Sequence, residues 1–302
     1  MRLTTLLFAP GTRLMRSLRM PVKMALMGLF LALPLLVLVV VTWHAGRSDI
    51  RFTTNEIAGV EAARGVVETV ERVQLHRGLT NRVLSGDAAA RQPQQEAAAS
   101  LKQALARLDA GLATYSGTAV QTAWGTLRPA LQKIADGAHA SQRAAAFAEH
   151  SAAVAGLRQL LVRLAEQSGL LLDPEAGTFF LMDLAVERLL PWSETIATTR
   201  GVAAAALARG DVSTTERVQV LSRMDAVDQH LADVRDKLEA LERAGIARPA
   251  STGPAMEASE SFVARVRTVF TADVFDGDPG ALFDQGTQAL RAMSRLHLDL
   301  FS

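Results

Sequence analysis

Residues Met24 to Trp43 read MALMGLFLALPLLVLVVVTW, twenty residues without a charge. As an α-helix rising about 1.5 Å per residue they span roughly 30 Å, the hydrocarbon thickness of a bilayer. The stretch is predicted to be a transmembrane helix, and Pro34 inside it is tolerated in such helices. The flanks orient it. Arg2, Arg13, Arg16, Arg19 and Lys23 precede it with no acid, whereas His44, Arg47 and Asp49 are the first ionisable residues after it. Cations on the short side predict a cytoplasmic N-terminus and a single pass through the inner membrane. Everything after His44 is then extracytoplasmic, which in a Gram-negative cell is the periplasm. A cleaved signal peptide fits less well: the apolar run exceeds the usual 7–15 or so residues, and no small-x-small site follows it.

Working outward, composition narrows the remainder. The chain has no cysteine, which removes disulfides and thiolate metal sites. Of its 32 Lys and Arg, the five before the span leave 27 against 31 Asp and Glu. A weakly acidic body argues against a nucleic-acid partner. Aromatics are scarce at 5%, and Tyr115 is the single tyrosine. Abundant Ala, Leu, Arg, Glu and Gln predict an all-α fold. The predicted architecture is a transmembrane helix continuing into an elongated, four-helix-bundle-like periplasmic domain of two modules. The boundaries are 1–23 for the basic N-terminus, 24–43 for the span and 44–302 for the domain, with modules 44–172 and 173–302 whose helices interleave.

Breakers divide the domain. A first helix runs to Ser85-Gly86-Asp87. A second carries Leu101, Leu105, Leu108 and Leu112 and ends at Tyr115-Ser116-Gly117. A third starts near Thr118 and runs through Leu157 to Leu171, with Gly137 its expected interruption. Asp173-Pro174-Glu175 reads as a helix start, with a capping acid followed by proline at the first helical position. The fourth helix reaches Arg209, kinked or divided at Pro191. A fifth carries the near-heptad Leu221, Met224, Val227, Leu231, Val234, Leu238 and Leu241. A sixth covers Met256 to Phe275, and a last one begins near Ala281. It is still amphipathic at Ser302, which reads either as a fragment end or as the approach to a second span.

An internal repeat is visible. ERVQLHRGLTNRVLSGD ends at Asp87, and ETIATTRGVAAAALARGD ends at Asp211; the Arg-Gly pairs are 123 residues apart and the Gly-Asp pairs 124. Two helical modules stacked end to end would produce this pattern. On the first copy, Val66, Val70, Val73 and Leu84 form an apolar stripe into which Arg77 falls, flanked by Gln74, Thr80 and Asn81. On the second, Met182, Leu189, Ile196 and Leu207 form the stripe that holds Arg200. A buried guanidinium demands an anionic partner. Two readings stay open: a small anionic ligand, such as a carboxylate, gripped between helices, or an internal salt bridge to an acid of the same bundle. The candidate ligand-binding residues are Arg77, Thr80, Asn81, Gln74 and Arg200, with Arg77 preferred over Arg200.

No other chemistry is legible. The six histidines, His44, His76, His139, His150, His230 and His297, pair nowhere at i, i+3 or i, i+4, so no metal site is predicted. No phosphate loop or nucleophile motif occurs, and neither an enzyme nor a cofactor is expected. Phe179, Phe180, Met182 and Trp192 read as core, and Trp43 as an interfacial anchor.

The basic start APGTRLMRSLRMPVKMAL, the stretch ERVQLHRGLTNRVLSGD and the stretch LLLDPEAGTFFLMD together resemble the N-terminal sensor half of bacterial methyl-accepting chemotaxis proteins. The resemblance covers nearly the whole chain. It implies a homodimer whose helices shift on binding a small carboxylate and pass that shift across the membrane to a signalling domain. Similar sensor halves precede histidine kinases and diguanylate cyclases. The alternatives to the chemoreceptor reading are therefore one of those outputs, or a membrane-tethered helical scaffold without a small ligand.

Overall fold

The computed structural model describes residues 19–171 and 176–301. Within them the protein is all-helical, with no strand. The chain divides into two compact units, Met1–Thr54 and Asn55–Ser302. In the first unit, Met20–His44 is a 25-residue helix long and apolar enough to cross a membrane, with none of it buried. Large side chains such as Phe30, Leu36 and Val41 are exposed.

The second unit holds two groups of four helices over one continuous apolar core. Helix α1 (Met20–Leu84) contributes its later residues to this unit, and α2 (Arg91–Gly111), α3 (Ala119–Ala135) and α4 (Arg143–Ser168) complete the first group. A short segment α5 (Ala176–Met182) leads through one π-helical stretch, Asp183–Arg188, into α6 (Leu189–Arg209). Helices α7 (Thr214–Arg243), α8 (Thr252–Thr271) and α9 (Pro279–Leu300) close a ring with α6.

Local chemistry explains the boundaries. Thr118 caps α3 through its side chain, and Ser213 with Glu216 forms a full capping box on α7. Asp278 caps α9 ahead of Pro279 at the first turn. Gly137 (φ 72°) and Gly210 (φ 69°) take left-handed conformations that stop α3 and α6. The expected interruption at Gly137 is therefore a full break, which splits the predicted third helix in two. The Asp173-Pro174-Glu175 start lies outside the described residues.

The irregularity expected at Pro191 lies a turn earlier. Pro191 removes the N–H that would reach residue 187, and the helix widens to π geometry over Asp183–Arg188 instead of breaking. The seam on α7 is buried as read, except that Leu221 is only half-buried and Val220 takes its core position. Of the residues read as core, Met182 and Trp192 are buried but Phe179 is exposed: it faces out from the short α5, where no neighbouring helix covers it. On the first arginine stripe, Leu84 is half-buried because the helix ends there. Burying Leu157, Leu160, Leu161 and Leu164 on one face of α4 contributes about 1.5–3 kcal/mol each, which makes that helix a firm wall for what lies beside it.

The repeat is not stacked end to end. Its two copies lie side by side: a Cβ placed on Gly201 would be 3.4 Å from the Gly78 Cα. Asn81 donates Nδ2 to the Gly201 carbonyl at 2.8 Å. The Arg-Gly pairs therefore mark the crossing of α1 and α6, where absent side chains let the two backbones approach.

Candidate functional site

The crossing brings both repeat arginines into the core, each 1% exposed. Their surroundings differ. Arg77 donates Nη1 to Glu194 Oε1 at 2.6 Å and Nη2 to Glu194 Oε2 at 3.0 Å. Ser151 accepts from Nη1 at 2.9 Å and Thr198 from Nη2 at 3.1 Å. Gln74 Nε2 and the Thr198 hydroxyl also donate to Glu194, at 2.9 and 3.1 Å. The guanidinium lies over the Phe147 ring, 4.9 Å from its centroid. This is a bidentate, well-supported ion pair. The preference for Arg77 as the ligand-binding arginine is corrected accordingly: the internal carboxylate of Glu194 already fills its fork.

Arg200 has no such partner. Nη1 donates to the Thr287 hydroxyl and Nη2 to the Gln74 carbonyl, both at 3.0 Å, while Nε has no hydrogen-bond acceptor. The Phe283 ring covers the guanidinium at 4.4 Å. Gly286 makes room for its stem, since a Cβ there would lie 2.8 Å from Arg200 Cγ. Burial, and then the positive Arg77, push its pKa down to about 9, so it remains a cation at neutral pH. Arg200 borders a cleft of about 300 Å³ between α1, α6 and α9, together with Glu71, Arg72, Thr287, Arg291 and Arg295. A buried guanidinium held by two neutral acceptors and facing a cleft with three more arginines is an incomplete anion site.

The other expected residues divide between roles. Gln74 links the two arginines, its side chain on Glu194 and its carbonyl on Arg200. Asn81 is used in the helix crossing. Thr80 turns away and accepts from Gln94 Nε2 at 3.3 Å. Thr80 and Asn81 are thus corrected as ligand contacts, because helical geometry aims them at α2 and at the α6 backbone.

Three histidines that no spacing connected meet here. His76 and His150 stack with ring centroids 5.1 Å apart, and His139 lies 5.6 Å from His150. His150 Nδ1 faces the Ala146 carbonyl at 2.7 Å, so that nitrogen carries the proton. His150 Nε2 then accepts from His76 Nδ1 at 2.8 Å, and His76 Nε2 accepts from Gln94 at 3.1 Å. The chain is satisfied with both rings neutral. Burial, and then the neighbouring imidazoles, push His76 down to about 3; burial chiefly pushes His150 down to about 4. Among the described residues no grouping of His and acids could hold a metal ion. Glu194, Glu71, Thr287 and the histidine chain were missed in the sequence. For the acids a signal existed: each repeat arginine has a glutamate six residues before it, Glu71 for Arg77 and Glu194 for Arg200.

Larger clefts open elsewhere. One of about 580 Å³ between α3 and α4 is walled by Ala123, Leu127, Ala130, Ala153 and Leu160, with Lys133, Glu149, Gln159 and Arg163 also on its lining. Another, of about 600 Å³, gives solvent a route to the outer face of Glu194.

No family model and no curated protein matches the chain. Among solved structures, that of the NasR transcription antiterminator is similar, with a TM-score of 0.64 and 19% identity, over 87% of this chain and 72% of that one. At that identity the likeness establishes the all-helical fold alone. It corrects the chemoreceptor reading: a fold shared with a transcription antiterminator is not a mark of chemotaxis.

Proposed function

We propose that this chain is the helical input module of a regulatory protein, and that a small anion at Arg200 sets the packing of α1 against α6 and α9. The observation that carries this is Arg200 itself, fully buried, cationic and without a carboxylate, on the wall of a cleft with Arg72, Arg291 and Arg295. An anion with two or more oxygens would supply the counter-charge that Thr287 and the Gln74 carbonyl do not, and offset a desolvation penalty of several kcal/mol. Because α1 and α6 touch through glycines, its arrival would change their packing. A differential affinity worth about 1–3 kcal/mol is enough to bias two helix arrangements.

The output is whatever regulatory domain the module serves; the similar antiterminator supports regulation in general. It also removes the support for excluding nucleic acid, so RNA belongs in the binding test. The helix Met20–His44 supports a membrane tether with the N-terminus in the cytoplasm, and protease access in intact spheroplasts tests that topology.

The deciding experiment is a thermal-shift series on the full chain in detergent with acetate, malonate, sulfate, amino acids and a short RNA. Stabilisation by a small anion that Arg200→Met abolishes supports the reading. No response to any anion by a folded chain, or a response that Arg200→Met leaves intact, overturns it.

A further inference from the structure

The repeat register has a consequence at the open arginine. Glu71 precedes Arg77 by six residues, and Glu194 precedes Arg200 by six. Arg77 crosses to the glutamate of the other copy, Glu194. The mirrored pair is Arg200 with Glu71, and it is not formed. Arg200 binds Thr287 and the Gln74 carbonyl instead, while the half-buried Glu71 lines the same cleft and is hydrogen-bonded to Ser294. One half of a two-fold arrangement is closed, and the other is held open with both partners on the cleft wall.

We propose that Glu71 is a built-in competitor for the anion site. Ionised, its carboxylate closes on Arg200 as Glu194 closes on Arg77. When an outside anion occupies Arg200, Glu71 takes a proton from solvent and stays on Ser294. The inference rests on the anion reading above and adds that anion binding is proton-coupled.

The groups around Glu71 set the sign. On α1 they are Glu68, Arg72 and Gln74; on α6 they are Ser193 and Arg200; on α9 they are Arg291, Ser294, Arg295 and His297. Burial is the largest influence and raises the Glu71 pKa to about 6, Ser294 and Arg72 pull it down, and Glu68 pushes it up. A second negative charge in the cleft raises it further. The carboxyl is therefore poised to change its proton when the cleft changes its charge. His297 is held neutral by burial, which lowers it to about 4, and does not contribute near neutral pH.

The test is isothermal titration of the full chain in detergent with sulfate and with acetate between pH 6 and 8, in buffers of different ionisation enthalpy. Affinity is expected to fall as pH rises, approaching tenfold per pH unit, with uptake of up to one proton per anion. Glu71→Gln, which preserves shape and the Ser294 contact, should bind at pH 8 at least as tightly as the unaltered chain at pH 6, with no pH dependence. Glu194→Gln should keep the pH dependence. Equal pH dependence in the unaltered chain and Glu71→Gln overturns the competitor, as does binding without proton uptake; both leave the anion site standing. Absence of binding at every pH overturns the site and the competitor together.

Discussion

Arg77 and Arg200 occupy equivalent places in the repeat and equal depths in the core, yet one is a closed ion pair and the other a buried cation without a carboxylate. Arg77 has Glu194, Ser151 and Thr198 around a filled fork. Arg200 has two neutral acceptors and no carboxylate, while Nε is without an acceptor in both arginines. The difference teaches that burial of a charge says nothing about its role until its counter-charge is found. A paired arginine serves the fold, while an unpaired one strains it for a use.

The comparison predicts opposite responses to the same substitution. Arg77→Met should lose about 3–5 kcal/mol of stability in urea unfolding, because it strands Glu194. Arg200→Met should be neutral or gain about 1–4 kcal/mol in anion-free buffer near pH 5, where Glu71 is protonated and Arg200 is an uncompensated charge. Equal losses in both would break the distinction.

The two glycines sharpen it. A Cβ on Gly78 would lie 2.8 and 3.1 Å from the Phe283 ring that covers Arg200. Gly78→Ala should therefore cost about 1–3 kcal/mol and weaken any anion effect. Gly201→Ala meets only ordinary contact at 3.4 Å. It should be nearly neutral, helped by up to about 1 kcal/mol of helix propensity.

The smallest effect is acid sensitivity. His76 and His150 have folded pKa values of about 3 and 4, below the ordinary 6.5, because burial disfavours their charged forms. Their contribution is complete above about pH 6.5 and is lost as pH falls toward 4, since the unfolded chain takes up protons first. The slope is up to about 1.4 kcal/mol per pH unit for each ring. Glu71, raised to about 6, has the opposite sign: its contribution is present at acid pH and is lost as pH rises through 6. His76→Gln should flatten the fall in melting temperature between pH 6.5 and 5, and Glu71→Gln should steepen it.

Much of this was legible because it is local. Thr118, Ser213, Asp278, Gly137 and Gly210 act on backbone groups within a few residues, and the start near Thr118, the interruption at Gly137 and the end at Arg209 were read from type and order. The inward direction of Arg77 and Arg200 followed from the stripe each interrupts. The identity of their partners did not. Glu194 meets Arg77 across 117 residues, and Gln74 meets Arg200 across 126. His76 meets His150 across 74, from a different helix. Periodicity ranks faces of single helices and carries no information about which faces meet.

By itself the amino-acid order determined an apolar helix long enough for a bilayer, a mostly helical remainder, and two arginines aimed inward from matching repeats. Those properties depend on hydrophobic period, capping and composition, which act within a turn or two of chain. Only the tertiary structure decided that Glu194 neutralises Arg77 while Arg200 waits beside Glu71. The pairing of buried charges is set by how α1, α6 and α9 cross, and that crossing is the product of the whole core.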